Sequence, residues 1–374
     1  MSVPSVPPSA PTPQSRILGC LLGGALGDSL GYAVEFDPID SIRARYGAEG
    51  LTSFGQLDGG SHFSDDTQMT LYTVDGLLEA LEWANGGVAA DEAACLWLAY
   101  LRWLATQGVE TPSSAPVPQP RWIDGHEVLR HRRAPGNACL SGLAGGEMGT
   151  AARPVNPDSK GCGTVVRSAP FGLLPHIGEA TVYKLSNDAA LLTHGHPSAR
   201  QSSGAFSVLI HRIMAGAEVR DAAEHVLALV EALPDADAEL VKRLRRTLDL
   251  TAPELTTPAL PAGAGRQAAA VLSPEELVGQ LGEGRVAEEA LAVGLYAVLA
   301  TEQGDGQDEA GHFRKAVALA LNHSGDSDST ASIAGNILGA RYGEEALPAD
   351  WLSALEAPEL IRGMGERLIA VTLG

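Results

Sequence analysis

Apolar positions recur at helical spacing along most of this chain, and strand-type alternation bounded by hairpin turns is scarce. Between residues 67 and 84, Met69, Tyr72, Leu77, Leu78 and Leu81 approximate one helical face. Similar patterns predict helices over 91–106, 181–192, 199–216, 220–232, 238–248, 286–301, 309–322, 329–341 and 357–371. The expected class is all-α. Gly19, Gly23, Gly27 and Gly31 recur every four residues, which on a helix makes one stripe without side chains. Such a stripe predicts close packing against another backbone.

Two stretches break the helical pattern: "GVETPSSAPVPQP" at 108–120 and "TAPELTTPALPAGAG" at 251–265. Both read as surface loops. Neither separates self-sufficient segments and no fixed-period repeat is present, so one compact domain is expected over 16–374. Residues 1–15, "MSVPSVPPSAPTPQS", carry five prolines and lack the basic start and apolar core of a signal peptide. They are expected to form a disordered tail.

Composition narrows the function classes. Of 374 residues, 45% are hydrophobic and 19% charged, an ordinary globular balance. The net charge of −20 disfavours nucleic-acid backbone and anionic membrane surfaces as partners. Ile17 to Gly27 is an uncharged run of 11 residues, whereas a membrane span needs about 20. Cys20, Cys95, Cys139 and Cys162 form no CxxC pair, which fits reduced thiols in a cytoplasm.

The chemistry concentrates in two acidic clusters, each at the start of a predicted helix. One is Ser64, Asp65 and Asp66 in "SHFSDDTQMT"; the other is Asp326, Asp328 and Ser329 in "SGDSDSTAS". A helix start needs one cap, and capping explains either cluster alone. If the two meet, however, carboxylates about 4 Å apart repel by about 4 kcal/mol at an effective dielectric of 20. A bound cation removes that cost. Hard oxygen donors point to magnesium or manganese, and the absence of paired His or Cys argues against zinc. Four carboxylates and two hydroxyls suit two divalent ions better than one saturated ion. Such a pair binds vicinal hydroxyls or phosphate oxygens and activates water.

Weaker signals lie elsewhere. Glu35 follows the glycine stripe and is a candidate ligand or general base if it faces the acidic clusters. "DSKGCGTVVRSAPFGLL" sets Ser159, Gly161, Gly163 and Thr164 before an apolar run, a turn able to offer N–H groups to phosphate. His194, in "LTHGHPSAR", is a candidate phosphate contact beside such a turn. "HEVLRH" has the wrong spacing for two zinc-binding imidazoles on one helix face. No His is followed directly by Asp, and neither a GxxxxGK[ST] loop nor a GxSxG elbow occurs.

Taken in order, "GCLLGGALGDSLGYAVEF", "SDDTQMT", "GCGTVVRSAPFGLL", "LTHGHPSAR" and "SGDSDSTASIAGNILGA" resemble the motif set of the ADP-ribosylglycohydrolases from about Arg16 to Gly343. The resemblance implies an orthogonal all-α fold around a binuclear Mg2+ or Mn2+ site beside an ADP-ribose cleft. It implies metal ligation by Ser64, Asp65, Asp66, Asp326, Asp328 and Ser329. Glu35, Asp66 and Asp326 are the expected catalytic residues, and Ser159, Gly161, Gly163, Thr164 and His194 the expected substrate contacts. The Ser-containing "GDSDS" and "SDDT" spellings are closer to the ADP-ribosylarginine hydrolases, so the expected substrate is ADP-ribosylated arginine in protein, cleaved by a monomeric cytoplasmic enzyme. Another ADP-ribose linkage (serine, a nucleobase or O-acetyl-ADP-ribose) and a non-catalytic ADP-ribose-binding module are the alternatives. Lys160 and Cys162 occupy variable positions, and 251–285 reads as an insertion.

Overall fold

The periodic apolar segments become sixteen α-helices among residues 10–252, 271–302 and 308–374, the parts of the chain described by the computed structural model. In order they are α1 (Pro13–Tyr32), α2 (Ile39–Tyr46), α3 (Asp65–Asn85), α4 (Glu92–Thr106), α5 (Asn137–Ala144), α6 (Ala169–Gly172), α7 (Glu179–Ala190) and α8 (Pro197–Met214). They continue as α9 (Val219–Glu231), α10 (Ala238–Leu250), α11 (Pro274–Leu281), α12 (Ala287–Thr301), α13 (Glu309–Leu321), α14 (Ser327–Tyr342), α15 (Ala349–Ala354) and α16 (Pro358–Leu373). The described residues contain no strand, and two isolated bridges, Thr150 with Arg153 and Gly161 with Val286, are their only β-type pairings. The all-α expectation holds.

All ten helices predicted by range are present, with ends displaced by two residues or fewer. The unpredicted α2, α5, α6, α11 and α15 span four to eight residues. That is too short for an apolar stripe to repeat convincingly. Helix α1 starts at Pro13, capped by the Thr12 hydroxyl, so residues 13–15 belong to a helix and not to a tail. Residues 1–9 and the 253–265 part of the proline-rich stretch lie outside the described residues.

At the centre, α1 and α14 run antiparallel with their backbones in contact. A Cβ placed on Gly23 would strike the Gly335 carbonyl, and one on Gly27 would strike the Ala331 carbonyl. Next along the same stripe, Gly31 lies against Ser327 and Asp328. Both helices are buried almost all round, α1 from Ser15 to Gly31 and α14 from Ser327 to Ala340. Helices α3, α13 and α16 pack on α1, and α8, α12 and α13 on α14. The glycine stripe therefore delivers the N-terminus of α14 to the C-terminal end of α1.

Within 251–285, the described α11 is packed against the rest of the chain. Leu277 and Leu281 of α11 pack with Ala292, Val293 and Tyr296 of α12 in a small core of their own. Beyond α11, Glu283 and Arg285 accept backbone hydrogen bonds from Asp326 and Cys162.

Candidate active site

Three helix ends meet where α1 and α14 cross. Ser64 caps α3, its Oγ accepting from Asp66 N at 3.1 Å, so Asp65 and Asp66 are free of capping duty. A second cap comes from α1. Asp28, fully buried, accepts from Ser64 N at 2.9 Å, from Thr67 N at 3.0 Å and from the Thr67 hydroxyl. On α14, Asp326 holds the N-cap position and its side chain makes no cap bond. The two clusters touch directly: Ser329 Oγ donates to Asp66 Oδ2 at 2.8 Å.

The resulting electrostatics are unbalanced. Asp66 and Asp328 are held well above the usual carboxylate range, by burial first and then by neighbouring carboxylates. Burial pushes Asp65 up to about 8 despite the bond it accepts from Gly136 N. Glu35, in the turn after α1, is also pushed up to about 8, by burial and then by Asp326, Asp65 and Asp28. Oδ1 of Asp326 and Oε2 of Glu35 are buried without a hydrogen-bond partner. Among the described residues no three His, Cys, Asp or Glu side chains converge as a finished cation cage. The unmatched oxygens nevertheless fit hard divalent cations, which would supply counter-charge to carboxylates packed this closely.

The glycine-rich turn lies alongside. Residues Ser159 to Gly163 are half-buried, and Gly161 pairs with Val286. Lys160 Nζ donates to Glu288 Oε1 at 2.7 Å, and Ser198 Oγ to Glu288 Oε2 at 2.5 Å, tying the turn to α8 and α12. Cys162 joins it to the acidic centre, its thiol donating to Asp326 Oδ2 at 3.2 Å. His194 is buried, and a Cβ on Gly161 would lie 3.2 Å from its Nε2. Burial, reinforced by the Arg167 charge, lowers His194 to about 3, so the imidazole is neutral.

A match to the ADP-ribosylglycohydrolase family covers residues 9–373. The chain belongs to that family. Among its ADP-ribosylglycohydrolase relatives is the ADP-ribosyl-[dinitrogen reductase] glycohydrolase of Rhodospirillum rubrum, 23% identical over 93% of this chain and 92% of the relative. Another is the ADP-ribosylhydrolase ARH3 of Danio rerio, 26% identical over 95% and 90%. An uncharacterized protein of Archaeoglobus fulgidus is 25% identical over 95% and 96%. A solved structure titled "ADP-ribosylglycohydrolase-related protein complex" shares the fold, with TM-score 0.61 and 22% identity over 96% of this chain and 99% of its own. No helix among the described residues is long and apolar enough to cross a membrane.

The structure thus brings Ser64, Asp65, Asp66, Asp326, Asp328, Ser329 and Glu35 to one junction, with Ser159, Gly161 and Gly163 on the adjoining turn and His194, from the segment after α7, packed against it. Thr164 differs: it is buried and its hydroxyl donates to Ala199 O of α8 at 3.2 Å, a packing bond. Sequence reading had no signal for the Cys162–Asp326 contact or for the buried Glu288, because both join residues over 120 positions apart. A cavity of about 800 Å3 between α4 and the 108–120 loop is lined by Leu101, Arg102, Val109, Pro118 and neighbours, with no residue of the acidic junction. Its size alone does not make it the site of this family's chemistry.

Proposed function

We propose that this ADP-ribosylglycohydrolase removes ADP-ribose from modified arginine in proteins, with two divalent cations, magnesium or manganese, seated among Ser64, Asp65, Asp66, Asp326, Asp328 and Ser329. The observation that carries the reading is the junction itself: two acidic helix starts in direct contact, with an unpartnered Asp326 oxygen between them and a glycine turn. When bound, the cations would polarise the ribose hydroxyls and lower the pKa of a water beside the anomeric carbon. The chain's own groups do the remaining work. Asp66 and Asp326 would fix the positions of charge at the centre. Glu35, half-buried and held above the usual carboxylate range by burial, would transfer a proton at the leaving nitrogen. Gly161 and Gly163 leave room for backbone N–H groups to approach the diphosphate, with Ser159 and His194 at its edge.

Support for arginine comes from the Ser spelling of both clusters, and support for a protein carrier from the Rhodospirillum rubrum relative, whose name gives dinitrogen reductase as the carrier of its ADP-ribose. The likeness to ADP-ribosylhydrolase ARH3 over nearly the whole chain keeps a hydrolase of another ADP-ribose linkage as the second reading. Release of ADP-ribose from arginine-modified and serine-modified peptides, with magnesium, manganese or excess chelator, separates them. Cation-dependent release from the arginine peptide alone is expected. Release from the serine peptide alone would retain the site and reject the linkage.

A further inference from the structure

Arg167 is a charged side chain without a carboxylate. It is 2% exposed, and its guanidinium lies 4.5 Å from the centre of the Tyr100 ring. Nη1 approaches Met69 Sδ at 3.4 Å and Cys139 Sγ at 3.5 Å, while Nη2 donates to Thr193 Oγ1 at 2.7 Å. Burying an unpaired cation is costly, so the bond it does make is informative.

A guanidinium only donates, so the Thr193 oxygen is the acceptor in that bond. A threonine oxygen has two lone pairs, but if it also accepted from an Nδ1–H its own buried hydrogen would meet no acceptor among the described residues, so that hydrogen goes to its other neighbour, His194 Nδ1, at 2.8 Å. Nδ1 accepts it. A neutral imidazole with an accepting Nδ1 carries its hydrogen on Nε2. Nε2 meets no partner among the described residues, although the side chain is only 3% exposed. It is aimed at the space where Gly161 lacks a Cβ, and Cε1 would lie 3.7 Å from a Cβ on Gly163.

We propose that Arg167 and Thr193 are positioning residues that lock His194 as an Nε2–H donor toward the Gly161–Gly163 turn, where it meets an anionic oxygen of the ADP-ribose diphosphate. The ligand half of this inference rests on the function proposed above; the tautomer half does not. The arrangement answers a problem set by the net charge of −20. The phosphates of an anionic substrate must be met locally, and a neutral N–H dipole backed by a buried guanidinium does so without a cation exposed to the acidic junction.

The test uses the full chain labelled with 15N-histidine, with His194→Asn to assign its ring signals. Wild type near pH 7 is expected to show His194 as the Nε2–H tautomer, and saturating ADP-ribose to shift that proton. Thr193→Val removes the hydroxyl at nearly constant shape. It is expected to lose the single tautomer and to raise KM by about tenfold, the scale of one neutral hydrogen bond, with kcat changed by about twofold or less. Thr193→Ser restores both readouts. An Nδ1–H ring or an imidazolium in wild type overturns the lock, as does a Thr193→Val protein with unchanged tautomer and KM. A locked Nε2–H that ignores ADP-ribose overturns the diphosphate contact alone. Absence of hydrolysis by wild type, with the tautomer and the ADP-ribose shift as expected, would instead count against the proposed reaction.

Discussion

Asp326, half-buried, and Asp28, fully buried, each lie against the start of a helix, and they do opposite things. Asp28 gives its oxygens to Ser64 N, Thr67 N and the Thr67 hydroxyl, and so completes the start of α3 from another helix. Asp28→Ala is expected to cost about 2–4 kcal/mol, because buried N–H donors lose their acceptor. Urea melts with chelator present would show this as a lower midpoint at unchanged slope. Asp326 caps nothing and keeps one oxygen unpartnered. Asp326→Asn keeps the shape and deletes one charge from a cluster of like charges. Turnover is expected to fall by about 10³ or more, while the chelated protein melts no lower than wild type. A mutant that kept its turnover would remove Asp326 from the chemistry.

The crossing of α1 on α14 is the element that makes those residues neighbours. Gly27→Ala would drive a methyl into the Ala331 carbonyl, and neither backbone has a flexible end to move aside. A loss of about 1–3 kcal/mol is expected, together with weaker cation binding as the helix ends separate. Gly279→Ala in α11, where the added methyl meets nothing within 4 Å, is the control and is expected to stabilise by about 0.5–1 kcal/mol. Thermal melts of the two variants decide the matter. The stripe was legible because a four-residue repeat of Gly19, Gly23, Gly27 and Gly31 survives without side-chain information. Its partner, Ser327, Ala331, Gly335 and Gly339 of α14, repeats with the same spacing, but that these two stripes face each other is a pairing only the folded chain shows. Beside α1, ten long helices were readable from apolar periodicity, while α2, α5, α6, α11 and α15 were too short to show one. In the site, the acidic clusters stood out because they exceeded the need for caps. Arg167, Thr193 and Glu288 did not, because their meaning lies in contacts that only the folded chain creates.

At the scale of the whole molecule, the acidic junction and the buried histidines pull stability in opposite directions with pH. Asp28, Asp65, Asp66, Asp328 and Glu35 all have folded pKa values above their unfolded ones, with Asp65 and Glu35 at about 8. The folded state therefore holds extra protons, and the stabilisation present below about pH 4 is lost as pH rises through the folded values. His194 and His323 are lowered to about 3 and about 4 by burial, so they favour the folded state increasingly as pH rises toward the unfolded value of about 6.5 and add no further slope above it. Above that point the carboxyls dominate. The metal-free protein is expected to lose melting temperature between about pH 6.5 and 8.5, and saturating magnesium or manganese to flatten the slope, because bound cations replace the protons as counter-charge. At a cation concentration of about 100 times Kd the added stability is about 2.7 kcal/mol, a rise of about 3–4 °C for a domain of this length. Melts in chelator, magnesium and manganese across that range measure both effects. A cation-induced rise that grows with pH would place the ions among the junction carboxyls; a rise independent of pH would place them elsewhere, and a pH-insensitive melt without cations would mean that the junction does not carry the charge imbalance its geometry implies.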